Sequence, residues 1–239
     1  MLPQFYNKVA VLNAKTHGDW SLSRSKDVSY AASANVIHLQ ANEFGGALIA
    51  FPIVFVGKGD KINPAALTGV ESKRNLFVGP DGTWRGAYVP AYVKRYPFLM
   101  ADSDNNQLAV CIDDSFKGFN QRGDGERLFT ATGDTSEFTN KAIAFLEQFE
   151  RNHAETMFLC KTLVELDILD PLKAEFKPDN PNKKPVFVEG FKVVSRDKLA
   201  KLSGEQMAKL RDNGVLELIY YHLASLRQFE SLIARYSFS

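Results

Sequence analysis

The sequence predicts an α+β protein, with a β-rich N-terminal part packed on a helical C-terminal part that carries a long amphipathic helix. Three observations carry that prediction. Up to about residue 130, short apolar runs alternate with Gly, Pro, Asn and Asp turn signals. From Asp134 the apolar period becomes three to four residues. Aromatic residues, 12% of the chain, run across that change with no clean linker, which favours one domain over 1–239.

Strands are expected at 9–12, 36–39, 47–56, 76–78, 87–93, 98–100 and 108–112. Gly45-Gly46, Gly57-Lys58-Gly59-Asp60 and Gly79-Pro80-Asp81-Gly82 supply the turns between them. The run FPIVFV at 51–56 is the clearest strand, with Pro52 at its start or on an edge. Residues 63–67 read as a short helix, with Asn63 as N-cap and Pro64 at the first helical position. The polar, Gly-rich stretch 113–135 reads as a long loop.

Asp134 and Glu137 have capping-box spacing. Phe138, Ala142, Phe145, Phe149, His153, Met157, Cys160 and Val164 then form one apolar stripe on a helix that Asp170-Pro171 ends. A hairpin follows near 175–194, its tip carrying Pro178, Pro181 and Pro185. Short helices are expected at 198–202 and 205–211, with Ser203 and Gln206 as a capping box and Gly214 as a stop. A last amphipathic helix covers 215–236, with Leu216, Ile219, Tyr220, Leu223, Leu226, Ile233 and Tyr236 on one side.

The 239 residues are 45% apolar and 24% charged, which excludes intrinsic disorder, collagen and coiled-coil arrays. Lys and Arg number 29 against 28 Asp and Glu, so no electrostatic footprint for nucleic acid or an acidic membrane is present. Cys111 and Cys160 lie in apolar runs and read as buried free thiols. The N-terminus lacks the pattern of a secretory signal. The longest apolar stretch, 47–56, contains Pro52 and falls short of the ~20 residues of a spanning helix. The expected compartment is the cytoplasm, with a cell-surface location by leaderless export left open.

Glu150 and His153 form a Glu-x-x-His step, but a di-metal bundle needs a second one, and His222 with Glu230 does not supply it. A partly buried, hydrogen-bonded His153 is expected, and neither metal nor cofactor. The acidic run from Asp102 to Asn106 is similar to the start of a calcium loop, yet Gln107 stands where that loop needs Gly, so a turn between strands is expected. Gly57-Lys58-Gly59-Asp60 lacks the third glycine of a dinucleotide site and reads as a hairpin turn. Arg122-Gly123-Asp124 carries no weight as a motif. The four histidines are scattered and no catalytic motif follows from spacing, so enzymatic activity is left open.

The run DGTWRGAYVPAYVKRYPF at 81–98 is the densest mixture of aromatic and cationic residues. Trp84, Tyr88, Tyr92, Arg95 and Tyr96 can stack on and hydrogen-bond a ligand or a partner. On a strand, Tyr88 and Tyr92 share a face and Tyr96 follows. The bland alternative has the aromatics filling the core while Lys94 and Arg95 pair with local acids.

The same run resembles the central signature of the bacterial SapC family. FPIVF at 51–55, LAVCID at 108–113, the stretch from Gly190-Phe191 through Leu210, then Gly214 and LELIYYHLASL at 216–226 agree in order. The stretch 43–49 departs as an insert that alters a loop. The resemblance implies a family named after a surface-layer-associated protein, most of whose members have no assigned activity. Some are encoded beside flavin-dependent tryptophan-halogenase-like proteins and outer-membrane receptors. It carries over no catalytic residues. Two functions follow. One is a non-catalytic surface-layer-associated or accessory protein that binds a protein partner through an exposed aromatic patch. The alternative is a cytosolic small-molecule-binding accessory protein or enzyme that works with a halogenase-like or oxygenase-like neighbour. It predicts a pocket on which Tyr88, Tyr92, Arg95, Asp113 or His222 converge.

Overall fold

The structure, a computed structural model, describes residues 2–102 and 108–238. The turn expected beyond Asp102 falls on 103–107, outside the described residues. The strands are β1 (Val9–Val11), β2 (Ser21–Leu22), β3 (Val36–His38), β4 (Ile53–Val56), β5 (Asn63–Leu67), β6 (Phe98–Asp102), β7 (Leu108–Asp113), β8 (Phe119–Asn120), β9 (Glu126–Arg127), β10 (Leu169–Phe176) and β11 (Val186–Val194). The helices are α1 (Ala14–His17), α2 (Phe44–Ala47), α3 (Ala91–Lys94), α4 (Glu137–Glu165), α5 (Arg196–Ala200), α6 (Gly204–Asp212), α7 (Val215–Ser225) and α8 (Gln228–Ser237). The mixed α+β class matches the prediction. Two compact units are formed, one from 1–27 with 93–151 and one from 28–92 with 152–239.

In the first unit β1, β7 and β6 make an antiparallel sheet in that order, and β2 lies between β8 and β9 in a second one. These last strands occupy part of the expected loop at 113–135. Phe98, Ile112, Leu128, Phe129 and Leu146 form the core, with Trp20, Phe119 and Phe138 against it. Helix α4 is capped by Ser136, whose Oγ accepts the Thr139 N–H at 3.1 Å; Asp134 instead accepts the Thr132 hydroxyl.

The second unit is built on an antiparallel sheet of order β10-β11-β4-β5-β3. Residues 63–67 are therefore strand and not helix. Ala65, Ala66 and Leu67 are buried between β4 and β3, and the carbonyl of Pro64 still accepts the Leu39 N–H at 3.1 Å. Tertiary burial overrode the local capping signal. The expected strands at 76–78 and 87–93 do not form either. The first contributes one bridge, Val78 to Trp84, and the second ends in α3. The run 47–56 begins at the end of α2 and becomes strand only at Ile53. Phe44, Phe51, Phe55, Leu159, Leu163 and Ile219 lie at the centre of this unit's core.

Helix α4 runs 29 residues, but its stripe is displaced from the predicted one. Thr139, Leu146, Thr156, Leu159, Cys160 and Leu163 are buried, while Phe145 and His153 face solvent. His153 is thus exposed and not the partly buried histidine expected. The helix stops where Asp167 turns left-handed at φ +50, and Asp170-Pro171 lie in β10. The hairpin β10–β11 forms as expected, with a bulge opposite Leu172–Ala174 that Gly190 accommodates at φ +85. The Ser203–Gln206 capping box also forms. The final helix is broken in two. Ser225 Oγ donates to the His222 carbonyl at 2.6 Å, the acceptor that the Leu226 N–H would need to continue α7.

The β4–β5 hairpin closes through Gly57 at φ +101 and Gly59 at φ +53, as the turn reading expected. A Cβ on Gly57 would stand 2.1 Å from the Lys61 carbonyl oxygen, whereas one on Gly59 meets nothing within 4 Å. Gly57→Ala should therefore destabilise by about 2 kcal/mol or more and Gly59→Ala by about 1 kcal/mol. Urea unfolding midpoints measure the two, and equal midpoints would contradict the close approach.

Candidate functional site

The aromatic run is anchored in the second unit by one buried carboxylate. Glu43 is 4% exposed. Its Oε1 accepts the Tyr88 hydroxyl at 2.9 Å and the Ala91 N–H at 2.7 Å, and its Oε2 accepts the Gln40 N–H at 2.9 Å. Burial, then the charge and hydrogen bond of Glu43, push the Tyr88 phenol well above its usual range. Trp84 Nε1 donates to the Tyr88 carbonyl at 2.7 Å, and its ring stacks on Phe77 with centroids 5.9 Å apart. Tyr88 lies over Gly46, where a Cβ would stand 2.7 Å from the ring. Tyr92 is buried in α3, 5.5 Å from the His38 ring. Tyr88 and Tyr92 are therefore not strand neighbours on one face.

One expectation about 43–49 is corrected here. The stretch carries Glu43 and α2, whose Phe44 and Ala47 are buried in the core. Gly45-Gly46 is helical and not a turn, and Gly46 is small because the Tyr88 ring approaches it. Sequence reasoning missed Glu43. The available signal was the Gln40-x-x-Glu43 spacing of a capping box, which does form.

His222 sits in the core of the same unit, on α7, with no exposure. Its Nε2 accepts the Val194 N–H of β11 at 3.0 Å, its ring lies 5.0 Å from Phe55 of β4, and the Ile53 backbone is beside it. Accepting at Nε2 requires the neutral ring with its proton on Nδ1. Burial lowers its pKa to about 4, and the nearby Arg196 charge adds to the effect. Its contacts are separate from those of Trp84 and Tyr88.

In the first unit Asp113 is fully buried and accepts five donors. They are the N–H groups of Asn7 (2.8 Å), Lys8 (3.1 Å) and Ser115 (3.2 Å), the Ser115 hydroxyl (2.6 Å) and the Tyr96 hydroxyl (3.2 Å). Burial alone would raise its pKa; the bonds from Ser115, Asn7 and Lys8 outweigh it and hold the carboxyl below its usual range. Tyr96 is ringed by Phe5, Tyr6 and Phe116. The Arg95 guanidinium lies 4.7 Å from the Phe149 centroid and 5.8 Å from that of Tyr6. The structure thus joins Tyr96 to Asp113, and Trp84 to Tyr88. Asp113, Glu43 and His222 each accept backbone N–H groups through these bonds.

Among the described residues no three His, Cys, Asp or Glu side chains gather as a metal ion would require. Burial raises the thiol pKa of Cys111, and that of Cys160 to about 12. Arg122-Gly123-Asp124 is an exposed tip whose Arg122 and Asp124 N–H groups both donate to Asn120 Oδ1. On the second half of α4, Phe158 is 49% exposed and borders two clefts. One, of about 460 Å³, is lined by Met157, Cys160, Lys161 and Val164; the other, of about 530 Å³, by Thr162, Leu166, Gln206 and Lys209.

The SapC family model matches residues 12–232 of the 239. This chain belongs to the SapC family. Neither the curated proteins nor the solved structures contain a match to it. Glu43, Tyr88, Asp113 and His222 all fall inside the SapC match. Among the described residues of this SapC chain no helix is long and apolar enough to cross a membrane.

The buried histidine makes stability depend on pH. The unfolded chain takes up a proton at His222 near pH 6.5, and the folded chain only near 4. Stability from this residue is complete above pH 6.5 and is lost as pH falls toward 4, by about 3 kcal/mol in all. His17, buried and also lowered, acts in the same direction. His222→Gln keeps an acceptor for the Val194 N–H and does not titrate. Urea unfolding at pH 7 and pH 4.5 should show a smaller loss in that variant than in the parent. An identical loss would remove His222 as the cause.

Proposed function

We propose that this SapC-family chain is a non-catalytic surface-layer-associated or accessory protein that acts by binding a protein partner. One observation carries the reading. The polar groups that looked able to do chemistry are engaged inside, while a large aromatic side chain, Phe158, stands at the surface between two clefts. Apolar side chains beside clefts are what a partner's side chains fill. Trp84, Tyr88, Tyr92, Arg95, Tyr96, Asp113 and His222 enter this reading through the scaffold they hold in shape. A location at the cell surface belongs to the same proposal.

The second reading is a cytosolic small-molecule-binding accessory serving a halogenase-like or oxygenase-like neighbour. It draws support from a separate cavity beside Gly79 and Gly82 that has both polar and apolar lining.

Fractionation of source cells into cytosol, periplasm, membrane and surface-shed material tests the first reading, together with retention of the purified chain on the shed material. Phe158→Glu should abolish retention and change stability by no more than about 0.5 kcal/mol, as for an exposed position. A chain confined to the cytosol, with retention absent or unaffected by Phe158→Glu, would transfer the case to the second reading.

A further inference from the structure

The second unit holds a cavity of about 660 Å³ lined by Arg74, Asn75, Val78, Pro80, Arg85 and Phe238, with Ser29 and Gly79 among the others. That size falls within the usual range for a small-molecule site. Its floor is rigid. Asn75 is buried, donates through Nδ2 to the Ala31 carbonyl at 3.0 Å and accepts the Phe77 N–H through Oδ1 at 2.9 Å. One wall is the turn at 78–84. It is closed by Gly79 N–H to the Thr83 carbonyl (2.8 Å) and Gly82 N–H to the Gly79 carbonyl (2.9 Å), and is tied back by Val28 N–H to the Gly82 carbonyl (2.8 Å).

The two lining arginines are each oriented by one acid. Arg74 donates to Glu71 at 2.8 Å, and Glu71 also accepts the Tyr236 hydroxyl at 3.3 Å. Arg85 reaches Asp81 at 3.4 Å, while the same Asp81 oxygen accepts the Thr83 N–H and hydroxyl. A guanidinium carries five N–H donors. Each of these uses one in such a bond, and their side chains are 39% and 54% exposed, so donors remain accessible to a ligand. Arg85 also lies across Gly79, where a Cβ would stand 2.2 Å from its Nε and 2.5 Å from its Cζ. Glycine at 79 therefore seats the guanidinium against the turn. Arg235, one helical turn before Phe238, rests 4.4 Å from the Phe77 centroid and has no carboxylate partner among the described residues. The cavity's own lining thus carries two guanidinium groups, Arg74 and Arg85, and no carboxylate. Leu76, Val78, Pro80 and Phe238 add an apolar side.

We propose that this cavity binds a small organic anion, with its carboxylate or phosphoryl group on Arg74 and Arg85 and its apolar body against Val78, Pro80 and Phe238. Charge-assisted, planar donors suit either anionic group, and the apolar lining selects for a molecule that carries more than the charge. This inference deepens the small-molecule reading of the same cavity; it stands apart from the partner-binding reading and survives that reading's failure.

Calorimetric titration tests it with three probes: benzoate, its neutral counterpart benzamide, and inorganic phosphate. Benzoate should bind saturably and benzamide about tenfold more weakly or not at all. Phosphate binding in place of benzoate assigns the site to phosphoryl compounds. Arg85→Gln should weaken the bound anion about tenfold with no loss of melting temperature. Gly79→Ala, which keeps every charge but displaces the guanidinium, should weaken it as well. Saturation by neither anion below about 10 mM, equal binding of benzoate and benzamide, or unchanged binding in both variants would overturn the proposal.

Discussion

In the unit formed by 28–92 and 152–239, a buried carboxylate must find its hydrogen-bond donors, and the aromatic segment is arranged to supply them. An ionised group taken out of water is tolerated only when its lone pairs are satisfied. Glu43 meets that condition with the Tyr88 hydroxyl and the N–H groups of Ala91 and Gln40. Those bonds set the path of 84–91. Tyr88 in turn requires a glycine at 46, and its carbonyl receives the Trp84 indole. The other unit repeats the solution with different residues. Asp113 gathers the chain near Asn7 and Lys8, the turn at Ser115 and the ring of Tyr96 around one side chain.

This economy bears on function. A segment dense in tryptophan, tyrosine and arginine has the composition of a binding surface, yet much of its hydrogen-bonding capacity is directed inward. His222 follows the same pattern, because its ring nitrogen joins α7 to β11 where backbone alone would leave the Val194 N–H unmet. The groups left facing solvent are of another kind. Phe158 on α4 and the arginines beside the turn at 79–82 are less conspicuous in the sequence.

Much of the fold was legible in the sequence. The α+β class, the long helix after 134, the hairpin with its proline-rich tip, the Gly57–Gly59 turn and the Ser203–Gln206 cap all rest on short-range rules. The errors are equally instructive. Residues 63–67 carry an N-cap and a proline suited to a helix, but Ala65, Ala66 and Leu67 are worth more buried in mid-sheet. The stripe on α4 was displaced because many spacings of three and four fit so aromatic a helix, and only its neighbours select the one buried. The break between α7 and α8 depends on Ser225, which also accepts the Ile53 N–H at 2.9 Å from β4, a contact with no local trace.

The candidate site was legible as composition but not as geometry. By itself the sequence determined family membership, the class of the fold, the turns that need glycine and the helix ends that carry caps, because each depends on residues a few positions apart. Only the tertiary structure decided that Glu43, Asp113 and His222 act as internal anchors, and that Arg74 and Arg85 line one cavity. The reason is physical: a buried polar group must be satisfied by whatever donors the fold brings to it. For Asp113 those come from as far away as Asn7, a separation that no local pattern records.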